Sequence, residues 1–111
     1  MSISTHVLDT ALGRPAAGVP VTLDRQESGQ WVTLGGGPTD ADGRQKTLLG
    51  TASLDAGEYR ITFELAAYQA RQGVQGFYPR ASIEFTVTEA GAHHHVPLLV
   101  SPFGYSTYRG S

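Results

Sequence analysis

The sequence predicts an all-β sandwich in one domain spanning residues 1–111. Three observations carry that expectation. Short runs rich in β-branched and aromatic residues recur about every 8 to 12 residues, the spacing of sandwich strands. Gly, Pro and Asp separate these runs, as turns require. Helix-period stretches are scarce. At 111 residues with 40% apolar and 16% charged side chains, the chain can bury one core and lacks the composition of disorder.

The expected strands follow in order: Ile3–Asp9, Val19–Arg25, Gln30–Leu34, Arg44–Leu49, Gly57–Leu65, Ala81–Thr88, His93–Val100 and Tyr105–Arg109. Turns are placed at Gly13-Arg14-Pro15, Glu27-Ser28-Gly29, Gly35–Gly37 with Pro38, Asp42-Gly43, Asp55-Ala56-Gly57 and Ser101–Gly104. Each carries the Gly, Pro, Asn or Asp chemistry that reverses a chain. One short helix is expected over Leu65–Gln72, where Ala and Gln favour helix and Gly73 stops it.

Charge and cysteine usage narrow the function classes. A formal net charge of −2 and a pI near 6.0 provide no electrostatic footprint for nucleic acid or an anionic membrane. No cysteine is present, so disulfides, thiolate catalysis and thiolate metal sites are excluded, and packing or oligomerisation must stabilise the fold. The opening MSISTHVLDT lacks the basic and apolar blocks of a secretory signal, and no apolar run is long enough to span a bilayer, so a cytoplasmic location is expected.

Strand phase sorts the candidate chemistry. Alternate side chains point to opposite faces, so His94, Val96, Leu98 and Val100 form a core face, while His93, His95, Pro97 and Leu99 share the other. In the first strand Ile3, Thr5 and Val7 face the core, and Ser4, His6 and Leu8 point away. Ser106 and Tyr108 share a face of the last strand and join the outer surface if that strand pairs with this sheet. The result is a half-apolar outer face carrying His6 and His95, suited to a subunit interface or a ligand cleft.

Each candidate has a plain structural reading beside a functional one. His93 and His95 project together as metal ligands do, yet no Asp, Glu or Cys lies nearby in sequence to complete a shell, and a solvated histidine cluster accounts for them as well. His6 and His95 can move protons near neutral pH or serve as hydrogen-bonded structural residues. Arg44, after Asp42-Gly43, is either a solvated cation beyond a turn or a forked donor for anionic oxygens. Ser106 and Ser111 lack the Gly-x-Ser-x-Gly setting of a serine nucleophile.

Taken together, several motifs resemble 5-hydroxyisourate hydrolases, the transthyretin-like enzymes of purine catabolism. These are Ser4–Asp9, Gly13–Ala16, Thr39–Arg44, Gly57-Glu58-Tyr59, Phe77-Tyr78-Pro79, His95–Leu99 and Ser101–Ser111, ending in Tyr-Arg-Gly-Ser. That tail separates the enzymes from transthyretin itself. The resemblance implies a transthyretin-like (prealbumin-like) sandwich of two four-stranded sheets with one short helix. It also implies a homotetramer with active sites at the dimer–dimer interface, no cofactor, no metal, and hydrolysis of 5-hydroxyisourate to 2-oxo-4-hydroxy-4-carboxy-5-ureidoimidazoline.

By the same resemblance, His6, Arg44 and His95 form the catalytic set. Tyr108, Ser111 and Ser106 bind substrate, Ser111 through its hydroxyl or carboxylate. One departure is His94, where the family usually has tyrosine. Phase places it away from His95, so its effect is expected in packing. Two rivals stand beside the hydrolase. One is a non-catalytic transthyretin-type carrier of a small ligand. The other is a structural β-sandwich module, whose GvPVTL, TDADGR and GEYRITF pattern looks like Gly18–Phe63.

Overall fold

Alternation of buried and exposed residues arranges the chain in two sheets packed face to face. The structure, a computed structural model, describes residues 2–111; Met1, counted in the expected domain, lies outside the described residues. The elements are β1 (Ser2–Asp9), β2 (Arg14–Pro15), β3 (Pro20–Glu27), β4 (Gln30–Pro38), β5 (Arg44–Gln45), β6 (Gly57–Glu64), α1 (Ala66–Arg71), β7 (Arg80–Val87), β8 (His93–Ser101) and β9 (Gly104–Thr107).

One sheet runs β2-β1-β8-β9, with β5 also pairing β1; the other runs β4-β3-β6-β7. The second sheet has the expected four strands. The first has five, because two-residue strands β2 and β5 both pair with β1, at Leu8–Asp9 and Thr5–His6 respectively. β1 and β8 are parallel neighbours, so strands from opposite ends of the chain form the centre of this sheet.

Ile3, Val7, Val96, Leu98 and Val100 face Val21, Leu23, Tyr59, Ile61 and Phe63 across the core, all buried. Burying apolar area of this kind is the main favourable contribution to folding. Six-residue α1 is too short to be stable by itself, and its place is fixed by Tyr68, whose hydroxyl donates to Asp9 Oδ2 at 2.7 Å. Gly73 follows in the left-handed region (φ +71°) and ends the helix as expected. Among the described residues no helix is long and apolar enough to cross a membrane.

Three local expectations are corrected. The glycine run 35–37 is not a turn but part of β4. A Cβ on Gly35 would lie 2.4 Å from Leu48 O, and one on Gly36 2.4 Å from Val21 O, so these glycines permit close backbone approach within a strand. The strand expected over Arg44–Leu49 stops at Gln45. There the Gln45 side-chain oxygen accepts from Thr47 N (2.6 Å) and Thr47 Oγ1 (2.7 Å), bending the chain so that Leu48 enters the core. Arg14-Pro15, read as a turn, is strand β2; the turn precedes it, closed by Gly13 N donating to Asp9 O at 2.8 Å.

Candidate active site

The pairing register around β1 assembles the site. Parallel pairing with β8 puts Ser2 beside His93, Ser4 beside His95 and His6 beside Pro97, and antiparallel pairing with β5 puts Arg44 beside His6. Paired residues share a face, so imidazoles, hydroxyls and a guanidinium collect on the outer surface of this sheet. There they border a cavity of about 310 Å³ lined by Ser2, Ser4, Thr5, His93 and His95, with Arg44, Lys46 and Ser111 completing its wall.

The turn before Arg44 is fixed by its own residues. Asp40 Oδ1 accepts from Asp42 N (2.9 Å) and Arg44 N (3.0 Å). The Arg44 amide is the foremost reason that this carboxyl is held below its usual range. Gly43 adopts φ +76°, and a Cβ there would meet Val7 O at 2.5 Å, so geometry and space both demand glycine. Among the described residues no ion pair engages Arg44 or Lys46, leaving two cations available to the cavity.

His6 is held by the same turn: its Nε2–H donates to Asp42 O at 2.8 Å. A carbonyl only accepts, so the hydrogen sits on Nε2 and a neutral His6 keeps its lone pair on Nδ1. His6 stands beside the cavity and does not line it, yet its charge reaches His95. The His95 pKa is lowered first by burial, then by the positive charges of His6, His93 and Arg44, with Ser4 opposing. His95 is therefore held in its neutral form.

Ser4 Oγ lies 2.8 Å from His95 Nδ1 and 3.3 Å from His93 Nε2, while Ser2 Oγ hydrogen-bonds His93 Nδ1. The His93 and His95 rings stack, 6.3 Å apart and 13° from parallel. Among the described residues no group of three His, Cys, Asp or Glu side chains is disposed to hold a metal ion.

The chain's last residues cross His95. Gly110 N donates to His95 O at 2.8 Å, and a Cβ on Gly110 would lie 2.6 Å from His95 Cδ2. Only glycine permits that approach, and it carries Ser111 to the cavity wall. Ser106 sits opposite Leu99 on the outer face, outside the cavity. Tyr108 is exposed and lines a separate crevice of about 240 Å³ between β7 and β8, which it shares with His94 and His95. His94 is buried, its Nδ1–H donating to Ala92 O at 3.1 Å, which is the inward placement expected from phase.

One protomer thus brings His95, Arg44 and Ser111 to one cavity with His6 at its side, and leaves Ser106 and Tyr108 elsewhere. Sequence reasoning did not single out Ser4 or Lys46 as site residues. Both had a signal: Ser4 shares the face of His6, and Lys46 lies two residues beyond Arg44.

Comparison with known proteins agrees along the whole chain. The family model described as the HIUase/Transthyretin family matches residues 3–110. The chain is 42% identical to a 5-hydroxyisourate hydrolase of Mus musculus, covering 98% of this chain and 94% of that one. It is 46% identical to one from Mesorhizobium japonicum, covering 98% and 91%. Among solved structures, Klebsiella pneumoniae 5-hydroxyisourate hydrolase superposes with a TM-score of 0.85 at 43% identity, covering 99% and 98%. Sea bream transthyretin in complex with thyroxine gives 0.90 at 32% identity, covering 97% and 93%.

Proposed function

The chain belongs to the HIUase/Transthyretin family, and from that membership together with the imidazole-lined cavity we propose how it works. It hydrolyses 5-hydroxyisourate to 2-oxo-4-hydroxy-4-carboxy-5-ureidoimidazoline, a step of urate breakdown, with no cofactor. One observation carries the mechanism: the partly buried His95 imidazole borders the same cavity as Arg44, and burial first, then nearby charge, favours its neutral form.

His95 is the general base. A neutral imidazole accepts a proton from water, whose oxygen bonds to the ring carbonyl carbon. Arg44 donates to the oxygen on which negative charge develops and orients the substrate. The ring C–N bond then breaks, leaving a carboxylate, and the proton that His95 took from water passes to the departing nitrogen through Nδ1 of His6, whose lone pair accepts it and then releases it while Nε2–H stays on Asp42 O. Water adds, one C–N bond opens, and no redox change occurs.

Ser111 completes the wall of the cavity. Ser106 and Tyr108 belong to the substrate site of a homotetramer, in which a second copy faces the outer sheet and the active sites lie at the dimer–dimer interface. Two features support that assembly. The outer face of β1 and β8 is half apolar, with Leu8, Pro97 and Leu99 beside the polar groups. Strands β7 and β9 are both sheet edges, and unpaired edges seek partners. The cytoplasm is part of the same reading, and the fold suits it in needing no disulfide.

The carrier reading, in which a small apolar ligand fills the channel, fits poorly with a cavity bordered by four hydroxyl residues, two imidazoles and two cations. The test generates 5-hydroxyisourate in place from urate and urate oxidase and follows its decay by ultraviolet absorbance. Added protein accelerates the decay, and His95→Asn reduces turnover by roughly two to four orders of magnitude. Unchanged decay with a well-folded wild-type protein would overturn the hydrolase in favour of the carrier.

A further inference from the structure

We propose that Ser4 and His93 are positioning residues that set the tautomer of His95, through the hydrogen-bonded series His95–Ser4–His93–Ser2. The inference rests on the reading of His95 as the general base. It assigns work to two residues that the mechanism above leaves idle.

The donor count decides the direction. Ser4 has one hydroxyl hydrogen and two imidazole neighbours, His95 Nδ1 at 2.8 Å and His93 Nε2 at 3.3 Å. It therefore donates to one ring and accepts from the other. A general base acting through Nε2 of His95 needs its hydrogen on Nδ1. In that arrangement His95 Nδ1–H donates to Ser4 Oγ, Ser4 O–H donates to His93 Nε2, and His93 Nδ1–H donates to Ser2 Oγ. Every link then has one hydrogen and one lone pair. His6 shows the alternative, since Asp42 O keeps its hydrogen on Nε2.

The reverse direction puts the hydrogen on His95 Nε2 and removes the lone pair that would take a proton from water. The surroundings oppose it. The cations that border the cavity, Arg44 and Lys46, are donors only, and a lone pair on His95 meets them better than a third donor. His93, accepting at Nε2, supplies the acceptor that holds Ser4 in the productive sense. Ser4 touches no reacting atom and acts through His95, as the orienting carboxylate acts in a catalytic triad.

The experiment combines nitrogen-15 NMR of the histidine rings with steady-state kinetics on Ser4→Ala, Ser4→Thr and His93→Phe. The NMR is recorded without substrate, so it reports on the series even if 5-hydroxyisourate is not the substrate. In the wild type His95 should show the Nδ1–H signature. Ser4→Ala and His93→Phe should populate Nε2–H, with kcat falling about three- to tenfold, the equilibrium worth of one hydrogen bond, and KM staying within about twofold. Ser4→Thr, which keeps the hydroxyl, should restore both. An Nε2–H signature for His95 in the wild type, or the same tautomer and kcat in Ser4→Ala, overturns the proposal. Wild-type protein with the Nδ1–H signature but no hydrolysis would leave the series standing and reject the reaction instead.

Discussion

His95 is the residue on which acid–base behaviour turns. Burial comes first among the causes of its lowered pKa, followed by the charges of His6, His93 and Arg44, and all four disfavour the imidazolium. The base is active when neutral, so kcat/KM should rise as pH climbs through the lowered value and level off by the ordinary 6.5. A pH–rate profile checks this: an acid limb with its midpoint below 6.5 fits His95, and one at or above 6.5 assigns the limb to another group. The same shift affects folding. Because the folded state resists protonation here, stability is fully present above 6.5 and declines as pH falls toward the lowered value, where the unfolded chain binds the proton first.

Elements decide which of these residues meet, and strand alternation made much of that legible. His93 and His95 were separable from His94, and His6 from Thr5 and Val7, by period alone, since a strand has only two faces. Partners were not legible. That Ser4 stands beside His95 depends on parallel pairing of β1 with β8, a contact between residues 91 positions apart that no local pattern encodes. The glycine run misled for a related reason: Gly35 and Gly36 are needed for contacts with Leu48 and Val21, invisible until the fold is known. Helix α1 offers a test at this scale. Tyr68 OH donates to Asp9 Oδ2 within a buried contact, and desolvation, then that bond, push its pKa up to about 12. Tyr68→Phe should cost about 1.5–3 kcal/mol in urea denaturation, the range for a hydrogen bond to a charged acceptor. The raised pKa gives the sign with pH. The contribution is present below the ordinary 10.0 and is lost as pH rises toward about 12, so the variant's deficit should shrink in that window. A deficit that is absent at pH 7 would mean that α1 is held by packing alone.

For the whole molecule, a single copy leaves surface that a soluble monomer seldom shows. Phe77 (69% exposed) and Phe103 (76%) stand in the open near Tyr78 and Tyr105. Phe77 packs edge-on against Tyr78 at 4.9 Å, and Tyr78 against Tyr105 at 5.3 Å, while Phe77 N donates to Pro102 O at 2.7 Å. The loop after β8 and the segment before β7 thereby form one aromatic patch, the kind that marks an interaction surface. It adjoins β9 through Tyr105, which pairs with Val100 on the side opposite Ser106 and Leu99, and a second copy is expected to cover it. Under the proposed assembly, Ser106 and Tyr108, which lie outside the cavity of one protomer, join a substrate site only when a second copy faces the outer sheet. Light scattering on the eluted protein should then give four times the 11.8 kDa of the chain. Phe103→Glu, which buries a charge in any such contact, should shift the population to smaller species and lower kcat/KM with them, leaving the circular dichroism of the sandwich unchanged. A wild-type monomer with full activity would show that one protomer holds a complete site, and that Ser106 and Tyr108 take no part in it.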